Sequence, residues 1–227
     1  GPIDDNLVLK AARALQKQAP GLRMGRFHLL KRLPAAAGIG GGSSDAAAAL
    51  RLLARLNDMA PDDPRLWAAA AQIGSDVPVC LDPRARMMRG RGDELGPRLG
   101  LPPLFAVLLN PGIALETRLV FAEMGYAPGE TSPFGAHPDI GAESYASLTT
   151  KLKRARNDME DSASVLAPIV GHALSVLGAA RGAAFARMSG SGATCFALFA
   201  DCRAAAATAK AIRRGHPEWW AKATLLR

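Results

Sequence analysis

The residues with the plainest chemical purpose are Gly38-Ile39-Gly40-Gly41-Gly42-Ser43-Ser44, directly ahead of an alanine- and leucine-rich stretch that reads as a helix. At a helix N-terminus the backbone N–H groups lack intrahelical partners and the dipole is positive, so the place suits an anion. Glycines permit the unusual dihedrals and let phosphate oxygens reach the amides, whereas larger side chains hold them away. Ser43 and Ser44 add hydroxyls for a phosphate oxygen or for the ligand sphere of magnesium. Asp45 is a poor neighbour for phosphate and is expected to point away. The bland alternative is a structural turn, yet successive glycines cost ordering entropy and need a reason.

Two other phosphate-binding patterns do not fit. A Walker A loop ends in Gly-Lys-Ser/Thr, but Gly42 is followed by Ser43 and Ser44. The dinucleotide fingerprint wants a third glycine where Ser43 stands. His28, His137, His172 and His216 have no partner at metal or triad spacing, so surface or packing roles are expected. Cys80, Cys195 and Cys202 form no CxxC pair, which disfavours structural zinc and a disulfide scaffold, and no protein ligands for a metal are assigned. The turn Arg89-Gly90-Arg91-Gly92 is basic enough to meet a diphosphate, or is a solvated loop.

Holding such a loop requires elements on both sides. Leu7, Val8, Ala11, Ala12 and Leu15 recur at helical spacing, with Asp4, Asp5 and Asn6 as N-cap candidates and Pro20-Gly21 as the stop. Arg26 to Leu33 reads as a strand with Phe27, Leu29 and Leu33 on one face, and Pro34 ends its ladder. Pro34 to Ser44 is loop, and a helix begins at Ser43 with the stripe Ala46, Ala49, Leu50, Leu53, Leu56 and Met59. Asp63-Pro64 opens another helix that Gly74 terminates, and Val77 to Leu81 looks extended.

Beyond the glycine- and proline-rich residues 84–103, Leu104 to Leu109 is a strong strand candidate. Thr117 and Phe121, spaced i and i+4, share one face of a helix. After a turn-rich excursion over 125–144, helices are expected at Glu143 to Ala155 and Asp161 to Leu177, the second burying Val165, Leu166, Ile169, Val170, Leu174 and Leu177. Ala183 to Met188 and Thr194 to Ala200 read as strands joined by a glycine turn, followed by an Asp201-capped helix over Ala204 to Arg213 and an extended piece over Lys222 to Leu226. Strands interleave with helices, so the fold class is α/β or α+β.

The 227 residues are 49% hydrophobic and 21% charged, enough apolar sequence for one large or two small domains and too much for intrinsic disorder. Aromatics at 5% give little support to a stacking platform for single-stranded nucleic acid. A formal charge of +8 favours an anionic partner without choosing among nucleotide, phosphorylated metabolite, RNA or membrane surface. No apolar run approaches the ~20 residues of a membrane helix, and no secretory leader is evident, so the cytoplasm is the expected compartment.

Pro34 through Ala48, PAAAGIGGGSSDAAA, resembles the phosphate-binding motif of the small-molecule kinases acting on galactose, homoserine, mevalonate and phosphomevalonate. Its tripled glycine, double serine and following Asp-Ala-Ala are most similar to the branch that phosphorylates a cytidine diphosphate-linked methylerythritol. Asp5-Asn6-Leu7-Val8, Gly74-Ser75-Asp76-Val77-Pro78-Val79, Arg187-Met188-Ser189-Gly190-Ser191-Gly192-Ala193-Thr194 and Asn157-Asp158-Met159-Glu160 agree with that branch, in the expected order. The family opens with a Lys-Ile-Asn-Leu strand and an Asp-Gly-Tyr-His element, and neither occurs here. The chain is therefore read as N-terminally incomplete, with the family's lysine and Tyr/His pair assigned to no residue.

The resemblance implies that Asp76 is the catalytic carboxylate; Gly74 and Pro78 bracket a constrained turn that would aim it, while an ordinary turn-capping aspartate is the alternative. It implies ATP contacts from Pro34, Ala35, Ala36, Ala37, Gly38, Ile39, Gly40, Gly41, Gly42, Ser43 and Ser44, with Lys31 and Asn6 near the adenosine. Lys31 as an exposed strand residue and Asn6 as a helix cap are the plain alternatives. By resemblance Phe121 stacks on the cytosine ring with Thr117 bonding nearby, core packing being the rival for Phe121. Ser189, Gly190, Ser191 and Gly192 would form a second glycine turn supporting the phosphate loop, or a simple hairpin turn.

The implied architecture is a two-domain small-molecule kinase fold: an ATP-binding domain over 1–103 with a mixed sheet, a ferredoxin-like substrate-binding domain over 104–227, and a substrate cleft between them. The implied reaction is ATP-dependent, magnesium-assisted phosphorylation of a small cytidine diphosphate-linked polyol in non-mevalonate isoprenoid biosynthesis. A sister kinase for homoserine or mevalonate, and a nucleotide- or RNA-binding module without turnover, are the competing readings. Membrane partners are not expected, nucleic acid is disfavoured, and oligomeric state is left open.

Overall fold

Asn6 starts the first helix by accepting the Val8 N–H on its side chain at 2.9 Å, an N-cap that supplies one of the orphan donors with a partner. A computed structural model of the protein describes residues 5–34, 37–127, 130 and 133–226. It divides into two units, one comprising Gly1–Lys31 and Gly40–Leu99, the other Arg32–Ile39 and Gly100–Arg227.

The first unit contains helices α1 (Leu7–Gln18), α2 (Gly41–Leu56), α3 (Pro64–Ile73) and α4 (Val77–Leu81), then strands β1 (Arg86–Arg89) and β2 (Glu94–Arg98), which pair as an antiparallel hairpin. Its core is rich in alanine: Ala11, Ala12, Ala46, Ala47, Ala69 and Ala70 let the helix axes approach, and Leu15, Leu50, Leu53, Leu66 and Val77 fill the remaining space. Each such leucine or valine contributes about 1.5–3 kcal/mol by leaving water.

Several local expectations are corrected here. Residues 26–33 form no strand: they find no ladder partner among the described residues, and Leu29, Leu30 and Leu33 are exposed. The glycine-loop helix starts at Gly41, with Gly40 as N-cap, because Gly40 in the left-handed region turns the chain into the helix two residues earlier than the serines suggest. At its other end Leu56 is exposed and Met59 lies beyond the last turn. Val77–Leu81 is a short helix, since Pro78 falls in its first turn, where a missing N–H costs nothing. The hairpin β1–β2 was hidden among glycines and arginines that resemble loop.

The second unit runs β3 (Leu104–Asn110), α5 (Thr117–Met124), α6 (Tyr145–Arg154), α7 (Glu160–Leu166), α8 (Pro168–Gly178), β4 (Ala183–Met188), β5 (Cys195–Phe199), α9 (Cys202–Gly215) and β6 (Trp220–Leu226). The strands lie in the order β4-β5-β3-β6 with every neighbouring pair antiparallel, the split βαβ arrangement of a ferredoxin-like domain. Alternation on β3 sends Val107 and Leu109 to a core shared with Ala173 and Leu177 of α8 and Ala209 and Ile212 of α9, and Leu104 and Ala106 to the opposite face with Leu148 of α6.

The single helix expected over Asp161 to Leu177 is two helices. Pro168 has no N–H to donate and ends the ladder, leaving Val165 and Leu166 exposed instead of buried. Among the described residues no helix is long and apolar enough to cross a membrane.

Candidate active site

Gly40 takes φ 67° and ψ 18° at the head of α2, with no side chain capping the helix. By contrast α1, α3, α6 and α9 have side-chain caps from Asn6, Asp63, Ser144 and Asp201, while α4, α5, α7 and α8 also lack one but are not entered through a left-handed glycine. The first-turn amides of α2 are thus left for an external acceptor, an arrangement worth about 0.3–1 kcal/mol per charge from the dipole alone, up to ~2 when partly buried. A Cβ on Gly40 would meet nothing within 4 Å, so its φ alone demands glycine. Gly42 is tight against α1: a Cβ there would stand 3.0 Å from Leu7 Cδ1, so that side chain would have to give by a few tenths of an ångström.

Gly38 is constrained twice. Its φ is +68°, and a Cβ would overlap the Gly192 carbonyl and come within 3.1 Å of Ser189 O. Ser189 Oγ donates to Gly38 O at 3.0 Å. Ala37 is buried, Pro34 and Ile39 are half-buried, and Ala35 and Ala36 lie outside the described residues. Along α2, Ser43 is half-buried and Ser44 exposed, the Ser44 hydroxyl lying 3.6 Å from Cys80 Sγ.

Asp45 engages Lys31, the lysine expected near adenosine, at 2.8 Å; both groups are partly exposed, so the pair is screened and contributes little to stability. Asn6 serves as the α1 cap.

Asp76 stands at the N-cap position of α4 with φ −87° and ψ −10°, yet its carboxylate makes no capping bond. The Ser75 hydroxyl donates to its Oδ1 at 3.4 Å, and the residue is exposed. The backbone beneath it is firmly held. Val77 is fully buried, and its N–H donates to Gly74 O at 3.1 Å. Arg51 of α2 donates to Cys80 O and, at 3.5 Å, to Leu81 O. At the far end of α4, Asp82 pairs with Arg98 at 2.8 Å and with Arg86, and Arg98 first, then Arg86, hold its carboxyl below the usual range.

The Arg89-Gly90-Arg91-Gly92 turn is the tip of the β1–β2 hairpin, and a Cβ on Gly92 would sit 3.3 Å from Ser75 Cβ and 3.4 Å from Ser75 O. Arg91 joins Ala71, Ser75, Pro78 and Asp93 around a cavity of about 370 Å³. Arg51 and Asp82 escaped sequence reasoning, whereas the Arg89–Gly92 turn was singled out there for its charge; an arginine within the apolar stretch of α2 was the available signal for Arg51.

In the second unit, Thr117 Oγ1 and Ser191 Oγ are 2.7 Å apart. Phe121, one turn along α5, is 55% exposed, which excludes the core-packing alternative. It borders a cavity of about 500 Å³ with Asn157, Arg187, Ser189 and Gly190. Among the described residues no three histidine, cysteine or acidic side chains cluster as a metal cage.

Comparison with known proteins bears on this geometry. Residues 6–82 match the profile of the GHMP kinases N terminal domain and residues 142–218 that of the GHMP kinases C terminal. The chain is 58% identical over 228 residues to a 4-diphosphocytidyl-2-C-methyl-D-erythritol kinase of Methylobacterium radiotolerans, covering 100% of this chain and 78% of the relative. A crystal structure of 4-(cytidine 5'-diphospho)-2C-methyl-D-erythritol kinase superposes with a TM-score of 0.76 at 33% identity, covering 99% of this chain and 80% of that one. A homoserine kinase from Cytophaga hutchinsonii shares the fold, with a TM-score of 0.65 at 19% identity over 98% of this chain and 76% of that one.

Proposed function

The chain belongs to the GHMP kinases, in the branch of the 4-diphosphocytidyl-2-C-methyl-D-erythritol kinases, and from that premise we propose that its glycine loop holds ATP while Asp76 activates the acceptor alcohol. The protein is a kinase, and its reaction is ATP-dependent phosphorylation of the 2-hydroxyl of 4-diphosphocytidyl-2-C-methyl-D-erythritol, a step of the non-mevalonate route to isoprenoid precursors. The homoserine and mevalonate alternatives survive only as distant likenesses of fold.

The observation that carries the site assignment is the uncapped N-terminus of α2, entered through a left-handed Gly40, in the same unit as an exposed carboxylate free of capping duty. The amide N–H groups after Gly40 donate hydrogen bonds to the terminal phosphates of ATP, with Ser43 and Ser44 adding hydroxyl donors. Asp76 takes the proton of the attacking hydroxyl as its oxygen forms a bond to the γ-phosphorus and the bond to the ADP oxygen breaks. Magnesium, when bound, neutralises charge on the phosphates; such an ion needs one or two protein ligands besides the phosphate oxygens, and Ser43, Ser44 and Asp76 are of fitting chemistry. Phe121 offers an exposed face for the cytosine ring, with Thr117 one turn away. The cytoplasm is the compartment we assign to this metabolite chemistry.

ADP release should require both ATP and the cytidine diphosphate-linked polyol, with homoserine and mevalonate inert as acceptors. ATP binding without transfer to any of the three would instead support the non-catalytic binding module, and a complex with the triphosphate lodged away from Gly40 would displace the loop assignment.

A further inference from the structure

The turn Ser189–Gly192 is gripped by side chains outside it. Asn157 Nδ2 donates to Met188 O at 3.0 Å and to Gly190 O at 2.8 Å. Glu160 Oε2 accepts the Met188 N–H at 2.6 Å, a short charge-assisted bond. The last residue of β4 therefore has both its backbone groups claimed by this pair, where the strand gives way to the turn. The turn closes on itself through Ser189 N–H to Thr194 O at 2.8 Å and Gly192 N–H to Ser189 O at 3.0 Å. It then meets the glycine loop: Ser189 Oγ bonds Gly38 O, and a Cβ on Gly190 would stand 3.2 Å from that same oxygen.

We propose that Asn157 and Glu160 are positioning residues of the nucleotide site, acting through the Ser189–Gly192 turn on the carbonyl of Gly38 and so on the dihedrals from which the loop presents its amides. This rests on the reading of the loop as the ATP site. The residue types fit the task. Only an amide can donate to two carbonyls while Oδ1 accepts the Met159 N–H at 3.1 Å, and a glutamate in the first turn of α7 is favoured by the helix dipole. Glu160 also supplies counter-charge to Arg187, partly offsetting the lowering of its pKa by burial.

Asn157→Asp separates positioning from local folding, since the carboxylate still accepts from Met159 N–H yet faces two carbonyl oxygens without a proton to offer. Glu160→Ala removes the acceptor, whereas Glu160→Gln keeps an oxygen there. With the nucleotide-free protein, amide exchange over residues 37–42 is compared with exchange in β3 and α9. Steady-state kinetics with each substrate varied follow. Asn157→Asp and Glu160→Ala should speed exchange in 37–42 selectively and raise KM for ATP about tenfold, with a smaller rise in KM for the polyol because the same turn borders the Phe121 cavity and touches Thr117, and Glu160→Gln should restore most of the loss. The proposal is overturned if 37–42 exchanges as in the native protein in both damaging variants, or if exchange rises equally throughout the second unit and both KM values rise by the same factor. Failure of the native protein to bind ATP would remove the reading of the loop instead, and the exchange comparison would still decide whether the pair governs it.

Discussion

Ser189 Oγ donates a hydrogen bond to Gly38 O at 3.0 Å, joining residues 151 positions apart. The acceptor carbonyl lies two residues ahead of the left-handed Gly40 that opens α2, so the conformation of the glycine loop depends on a turn encoded near the other end of the chain. A Cβ at Gly38 would meet backbone oxygen on that turn, whereas one at Gly40 would meet open space.

Gly38→Ala and Gly40→Ala should therefore differ. Both force an L side chain into the left-handed region, at about 1–2 kcal/mol. Only Gly38→Ala adds a collision with a backbone carbonyl that cannot swing aside. Thermal unfolding and ATP titration should rank Gly38→Ala as much the more damaging; equal losses would show that φ alone matters at both positions.

Asp76→Asn preserves shape and removes a proton acceptor. The exposed position and the absence of a capping bond predict little change in melting temperature, ATP affinity within a few fold, and a drop in kcat of roughly 10²–10⁴. Turnover close to native would take the proton-accepting role away from this residue.

Phe121→Ala deletes a ring that is 55% exposed, so stability should change by no more than about 0.5 kcal/mol. If the ring stacks on cytosine, KM for the polyol rises about tenfold with KM for ATP untouched. A matched rise in both, or in neither, would place the base elsewhere.

Two titrations bracket the stability curve. Bonds from the Arg65 side chain, then from its backbone N–H, hold Asp63 at about 2, below the ordinary carboxylate value. A depressed folded pKa gives stability that is present above the unfolded value and lost as pH falls toward 2. Asp63→Asn should thus flatten the acid limb of an unfolding curve. Burial, then the charge of Glu160, pushes the Cys195 thiol up to about 12. A raised folded pKa gives stability that is full below the unfolded thiol value and declines as pH rises toward 12. Native alkylation at pH 8, read by mass spectrometry, should modify the exposed Cys202 and spare Cys195; early labelling of Cys195 would contradict its burial.

The chemistry-bearing segments were legible one by one because each is local. Gly40, Asp76 and the Ser189–Gly192 turn, the candidates for the proposed site, stand out by types and spacing that a single loop or helix start needs. The α1 cap at Asn6 and the strands β3, β4 and β5 were legible for the same reason, since capping and period-2 burial act within a few residues.

What failed were features whose energy comes from distant partners. Residues 26–33 have strand-like alternation, but a strand exists only when another segment takes up its hydrogen bonds. Hairpin β1–β2 has poor strand composition yet is fastened by Arg86, Arg98 and Asp82. No spacing rule pairs Lys31 with Asp45 or ties Asn157 and Glu160 to Met188. By itself the chain pointed to a glycine stretch that can free its amides for phosphate, because that follows from glycine dihedrals and orphan amides, and through family likeness to Asp76 as the candidate proton acceptor. Only the tertiary structure decided which side chains were already spoken for and which turn braces the loop, because hydrogen bonds between remote segments form only after the cores on either side have packed.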